Sequence, residues 1–244
     1  MARIIVLQHE ARETPGRLGM TLRDHGFKLD VRRLDLPEDQ SPGIPEDLDD
    51  VHGVISMGGG ANVGEDHWWM DRELALLRMA HDAKLPVIGV CLGAQTIAAA
   101  LGGKTGPMES PEAGFTTVDL TVAGQTDRIL SGQRWSAPQF QVHGQEVTEP
   151  PPGATLLATN DHCRVQAFKI GLRTYAFQYH FEVDRTMIDH LAEDDAETFE
   201  KAGVTQEILS RQCDEHYPLF ARLGDRLCSN IVTLAFTFHD LLKA

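Results

Sequence analysis

Four residues of mainly apolar character, Val87-Ile-Gly-Val90, run straight into Cys91 and then into the small-residue stretch Leu92-Gly-Ala-Gln-Thr-Ile-Ala-Ala-Ala-Leu-Gly-Gly103. The first segment reads as a buried strand and the second as a helix, so the backbone must turn sharply between them. Gly89 and Gly93 remove side chains where such a turn brings backbone close to backbone. A cysteine at this position is presented at the tip of a strand-to-helix elbow. The first amides of the helix and the positive end of its dipole face the sulfur, an arrangement that favours thiolate over thiol. On these residues alone, the alternative is a small buried cysteine.

The elbow sits in a regular alternation. Arg3 to Leu7 is a short aliphatic strand, and a helix starts at Pro15 and stops at Gly26. Lys28 to Leu34 alternates as a second strand, Pro37 to Pro45 is a loop, and Val51 to Met57 is a third strand. A helix from about Met70 to Ala83 then leads through Pro86 to the strand before Cys91. Alternation of this kind predicts an α/β fold with a mostly parallel sheet flanked by helices, and it puts ligands at the carboxyl ends of the strands. Gly58 and Cys91 both lie at such ends.

After Leu101 the pattern changes. Thr116–Val122, Ala154–Ala158, Arg164–Ile170 and Thr174–Tyr179 are short strand-like segments between Gly, Pro and Asn turns, which predicts a β-rich, partly antiparallel second half. Asp184–Lys201 reads as one helix, and a last helical stretch runs from Thr205 to about Leu242. Tyr217, Phe220, Leu223 and Leu227 recur there at helical spacing and are predicted to pack on the sheet, with a homodimer face as the alternative.

At the end of the last strand-like segment, His180 and Glu182 stand at i and i+2. In extended backbone that spacing puts both side chains on one face. Histidine is the side chain best suited to accept a thiol proton near neutral pH, and a neighbouring carboxylate fixes its tautomer and stabilises its cation.

Cys91, His180 and Glu182, each in its local setting, resemble the nucleophile elbow and the QFHPE-type strand of class I glutamine amidotransferases. The resemblance covers about the first three-quarters of the chain. It extends to the turn Met57-Gly-Gly-Gly-Ala-Asn-Val63, to Glu112-Ala-Gly-Phe115 and to Val142-His-Gly144. Leu7-Gln-His-Glu10 with Pro15-Gly16 narrows it to stand-alone, GMP-synthase-like amidotransferases. Gly60 departs from the family pattern, where Pro is usual, and so do Tyr179, Phe181 and Val142, around the histidine and in the acyl pocket.

The resemblance implies a flavodoxin-like catalytic domain over residues 1–200, with residues 201–244 as a C-terminal helical extension packed on it. It also implies that Cys91 attacks the γ-carbonyl of glutamine to form a γ-glutamyl thioester, with His180 carrying the proton and Glu182 orienting His180. The backbone amides of Gly59 and Leu92 would form the oxyanion hole. Gln95 becomes a substrate contact, against a reading from the residues alone as a helix-surface amide. Glu112 and His143 are further substrate candidates, their alternatives being an exposed loop charge and a hydrogen-bonded turn histidine. Trp68 and Trp69 read as hydrophobic cover, and His162, His190 and His216 as surface or packing residues.

Composition sets the exclusions. A formal charge of −14 argues against affinity for nucleic acid phosphates. No apolar run reaches membrane-spanning length and the amino terminus lacks a secretory pattern, so a cytoplasmic protein without membrane attachment is expected. Cys91, Cys163, Cys213 and Cys228 show no metal-ligand or disulfide spacing, so neither metal nor other cofactor is expected. No phosphate-binding loop accompanies the motifs, which assigns any synthase chemistry to a separate partner subunit. The competing functions are a γ-glutamyl peptide hydrolase, an idle regulatory subunit and a redox protein of the DJ-1/PfpI type. The filled triad argues against the last two.

Overall fold

The structure is a computed structural model describing residues 2–236. The part of the final helical stretch expected beyond residue 236 lies outside the described residues. In chain order the elements are β1 (Arg3–Gln8), α1 (Gly16–Asp24), β2 (Lys28–Arg33), β3 (Gly53–Ser56), α2 (Met70–Asp82), β4 (Val87–Val90) and α3 (Leu92–Ala100). The second half holds β5 (Lys104–Leu120), α4 (Val122–Thr126), β6 (Ser136–Glu149), β7 (Thr155–Thr159), β8 (Ala167–Ile170) and β9 (Thr174–Phe177). It ends with α5 (Arg185–Asp194), α6 (Ala196–Lys201) and α7 (Gln206–Leu234).

The described strands form one sheet in the order β2-β1-β3-β4-β9-β8-β7-β5-β6. β2, β1, β3, β4 and β9 are parallel, and the pairings from β9 through β8, β7 and β5 to β6 are antiparallel. The mixed α/β architecture expected from the alternation is therefore present. β1 shows why its strands are apolar throughout. Ile4 and Val6 enter one core, shared with Leu18 and Leu22 of α1 and Leu227 and Ile231 of α7, while Ile5 and Leu7 enter the opposite core with Leu76 and Leu77 of α2 and Ile97 of α3. A sheet covered by helices on both faces needs apolar side chains at successive positions rather than at alternate ones.

Several boundaries differ from the sequence reading. β5 begins at Lys104, well before Thr116, and pairs with β6, a strand that the pattern did not reveal. The helix expected over 184–201 breaks at Asp195, which leaves helical geometry at φ −119° and ψ 42°. β9 stops at Phe177, so His180 lies beyond the strand and is tied instead to β6 by an isolated bridge to Phe140. Phe220, Leu223 and Leu227 of α7 are buried within the chain, and Tyr217 hydrogen-bonds Arg17 and the amide of Arg185.

Candidate active site

Cys91 has φ +52° and ψ −110°, a left-handed backbone that a non-glycine residue adopts only when its surroundings impose it. They do so from several sides. The Cys91 amide donates to Phe177 O of β9 at 2.8 Å, and the Gly93 amide donates to Met57 O at 3.1 Å. A Cβ on Gly93 would lie 2.0 Å from Ser56 O, and one on Gly89 would lie 2.3 Å from Gly93 O. The two glycines are thus required by contact between backbones. The Leu92 amide heads α3, where a first-turn N–H has no intrahelical acceptor. The thiol points toward Val142 O at 3.7 Å.

His180 and Glu182 come together despite lying past the strand. Nδ1 of His180 is 2.9 Å from Glu182 Oε1, with both side chains buried. The segment is pinned from three directions. The His180 amide donates to Phe140 O, the Arg17 amide at the start of α1 donates to Glu182 O, and Gly224 of α7 abuts Phe181 O where a Cβ would stand 2.6 Å away. Gly16 has φ +43° and leaves no room for a Cβ beside Glu182 O, which explains the Pro15-Gly16 pair at this helix start. Burial works against a charged His180, but the Glu182 carboxylate, with a contribution from the Cys91 sulfur, outweighs it and holds the imidazole well above its ordinary value.

Two acids around the glycine turn, the half-buried Glu13 and the fully buried Glu73, escape any sequence pattern. Glu13 places its carboxylate against Gly58, where a Cβ would stand 1.9 Å from Glu13 Oε2 and 2.9 Å from Cε1 of His180. Burial pushes Glu13 up to about 7, with His180 pulling the other way and Glu182 adding to the rise. Glu73 of α2 reaches under the glycine turn, its Oε2 lying 2.7 Å from His9 Nε2, while its Oε1 accepts from Ser56 Oγ at 2.6 Å and Thr96 Oγ1 at 3.0 Å. Nδ1 of His9 is 3.2 Å from Gly58 O. Trp69 packs on the His9 ring, as cover of the kind expected for it.

Cys91, Leu92, Gly59, Gly60, Gln95 and His143 all line one cavity of about 770 Å³, to which α5 and α6 also contribute lining residues. The buried atoms His180 Nε2, Glu182 Oε2 and Glu13 Oε2 have no hydrogen-bond partner among the described residues. Gln95 is buried, and its Nε2 is already committed to Gln145 O at 3.0 Å and Gln178 Oε1 at 3.2 Å, which leaves its carbonyl oxygen for a ligand. His143 is likewise bound, by Gln145 O on Nδ1 and by Gln141 Oε1 and Glu112 Oε2 on Nε2.

Glu112 is not an exposed loop charge and does not line this cavity. It lies buried in β5 and accepts from Thr116, Asn160 and Gln166. Burial opposes its charge, but His143, Asn160 and Thr116 hold its carboxyl below the ordinary range. It braces His143 from behind. Tyr179 and Phe181 do not line the cavity and pack with Phe177 in the core, whereas Val142, the other departure beside this site, does line it. Among the described residues no cluster of three or more His, Cys, Asp or Glu could hold a metal ion, and no helix is long and apolar enough to cross a membrane.

Residues 17–218 match the model of the family described as glutamine amidotransferase class-I. The chain belongs to the class I glutamine amidotransferase family. It is 34% identical over 141 residues to a protein named GMP synthase [glutamine-hydrolyzing] from Porphyromonas gingivalis, a match covering 57% of this chain and 26% of that one. It is 30% identical over 222 residues to a protein of the same name from Burkholderia mallei, covering 78% of this chain and 40% of the other. The amidotransferase therefore spans less than half the length of these curated relatives. A solved glutamine amido transferase from Methylobacillus flagellatus superposes with a TM-score of 0.83 at 27% identity, covering 95% of this chain and 94% of the other.

Proposed function

We propose that this amidotransferase domain hydrolyses the γ-carboxamide of glutamine through Cys91, His180 and Glu182 and passes the ammonia to a synthase partner. His180 Nε2 takes the thiol proton as Cys91 Sγ bonds to the carboxamide carbon, and the carbonyl electron pair moves onto oxygen. The amides of Gly59 and Leu92 receive that oxyanion. The carbonyl re-forms as the C–N bond breaks, and the imidazolium gives its proton to the departing nitrogen, leaving a γ-glutamyl thioester and ammonia. Water, deprotonated by His180, then releases glutamate and the thiol. Glu182 holds Nδ1 throughout and stabilises the cationic ring. No cofactor is needed for this acyl transfer.

The observation that carries the reading is the strained Cys91 elbow, which opens into the cavity lined by Gly59 and Leu92 next to the paired His180–Glu182 side chains. The test is covalent labelling by 6-diazo-5-oxo-L-norleucine, a glutamine-shaped alkylating agent, followed by peptide mass mapping. Label on Cys91 with loss of glutaminase activity supports the reading, and activity retained in Cys91→Ala removes it. A second reading, hydrolysis of larger γ-glutamyl amides, is favoured by one feature. The cavity of about 770 Å³ has room well beyond a glutamine side chain.

A further inference from the structure

The buried His9–Glu73 pair has no part in the acyl transfer described above, yet it holds the peptide that the oxyanion hole depends on. Both ring nitrogens of His9 face acceptors, Nδ1 toward Gly58 O at 3.2 Å and Nε2 toward Glu73 Oε2 at 2.7 Å. A neutral imidazole carries one N–H and would satisfy only one of them, whereas the imidazolium satisfies both. His9 is 4% exposed and Glu73 fully buried, and the charges compensate within the pair. Burial opposes both charges, but Glu73 raises His9 above its ordinary value, and His9 with the Ser56 and Thr96 hydroxyls keeps Glu73 below its own.

Gly58 O and the N–H of Gly59 belong to one peptide group. In a trans peptide the carbonyl and the N–H point in opposite directions, so anchoring one end aims the other. A hydrogen bond accepted at the carbonyl also strengthens the donor at the far end of the same amide. Glycine at 58 and 59 would otherwise leave this peptide free to turn over. Gly59 itself sits between His9 and Leu92, with a Cβ there 2.6 Å from His9 Cβ and 3.2 Å from Leu92 Cδ2.

We infer that His9, held by Glu73, is the positioning residue that clamps the Gly58–Gly59 peptide with its N–H directed at the oxyanion site beside Cys91. The inference rests on the thioester reading above and adds a component to it. Removing the clamp lowers turnover and leaves ground-state binding and the thiol itself in place, because the oxyanion forms only after attack.

The decisive variant is His9→Phe/Glu73→Leu, which removes both charges together and keeps the space filled. Circular dichroism and thermal unfolding establish that it folds. The expected result is a roughly 10²-fold fall in kcat for glutamine with KM changed by less than about threefold, while iodoacetamide alkylates Cys91 at the wild-type rate. His9→Gln/Glu73→Gln, which keeps an uncharged donor, should regain part of kcat. Wild-type kcat in the folded apolar variant, or a loss carried by KM alone, would overturn the clamp.

A structure of the wild-type protein alkylated by 6-diazo-5-oxo-L-norleucine gives an answer that needs no variant to fold. The ketone oxygen should accept from Gly59 while Gly58 O stays on His9 Nδ1, and a peptide turned away from His9 in that adduct would refute the inference. Alkylation at a residue other than Cys91 would instead defeat the thioester reading, so the two failures are distinct.

Discussion

Glu13 Oε2 and His180 Cε1 border the same side of Gly58, where an added Cβ would stand 1.9 Å from the first and 2.9 Å from the second. The imidazole thus has one carboxylate, Glu182, hydrogen-bonded at Nδ1 and a second, Glu13, close enough to interact with it electrostatically. Glu13 is pushed up to about 7 from an ordinary value of 4.5. A carboxyl group whose pKa is raised by folding binds its proton more tightly in the folded chain, so it lowers stability as pH rises through that interval and does so fully above it. Glu13→Gln should match the wild type near pH 4.5 and exceed it at pH 8 by on the order of 1–3 kcal/mol. Urea unfolding at the two pH values measures this, and an equal difference at both would show that Glu13 is not titrating there.

Cys91 should be the single cysteine whose loss abolishes turnover. Cys163, Cys213 and Cys228 are buried, burial pushes each thiol upward, and none of them lines the cavity. Iodoacetamide at pH 7.5, chosen as roughly neutral for a thiolate-dependent reaction, should modify Cys91 first, as read by peptide mass mapping. Cys91→Ser should be nearly inactive, because an alkoxide is far harder to generate than a thiolate.

Removing the imidazole should cost more than neutralising its carboxylate partner. His180→Ala is expected to lose about 10²–10⁴-fold in kcat. Glu182→Gln keeps the carbonyl acceptor for Nδ1 and should show a roughly tenfold smaller loss. With Glu182 neutral, the main support for the imidazolium disappears, and the His180 pKa should fall. NMR titration of the ring in folded Glu182→Gln checks the direction, and an unchanged pKa would mean that Glu182 only positions the ring.

The elbow and the His180–Glu182 pair were legible because each rests on local geometry. A strand running into a helix through Gly-x-Cys-x-Gly has few ways to bend, and the i, i+2 spacing still pairs His180 with Glu182 although β9 ends at Phe177 and the segment that follows is bent and held by tertiary contacts. β6 was not legible. It buries Gln139, Gln141 and His143 and contains Pro138, so the polar alternation that marks a half-exposed strand is lost near the site. His9, Glu13 and Glu73 escaped for a related reason. Charged residues are ordinarily solvated, and only tertiary packing reveals that His9 and Glu73 are buried, and Glu13 half-buried, around the same glycine turn.

Tolerance in the glycines should follow the backbone contacts. Gly93→Ala would force a Cβ to 2.0 Å from Ser56 O, and neither backbone can give way without distorting the elbow. A loss of about 3 kcal/mol or more is expected, with the active site lost alongside it. Gly60 is different. Its nearest neighbour to an added Cβ is Glu10 Oε1 at 3.8 Å, so Gly60→Ala should change stability by less than about 0.5 kcal/mol. Thermal unfolding of the two variants side by side tests the contrast, and a Gly93→Ala protein as stable as wild type would show that the elbow can relax.

Substrate preference follows from how the cavity is filled. Glu10, Asp194, Asp195 and Glu197 line it together with Arg12 and Lys201, and both cations are already paired, Arg12 with Glu193 and Asp194 and Lys201 with Glu197. The open volume thus has a surplus of negative charge, which disfavours γ-glutamyl compounds whose leaving group adds carboxylates and tolerates a neutral one. Glutamine should be hydrolysed with a higher kcat/KM than glutathione, whose leaving portion ends in a carboxylate. Activity on glutamine should rise on adding a cognate synthase, the partner proposed above, since uncoupled release wastes ammonia. Steady-state assays of both substrates decide the matter. A kcat/KM for glutathione well above that for glutamine would show that the acidic lining does not select the substrate, and would turn the assignment toward γ-glutamyl peptide hydrolysis.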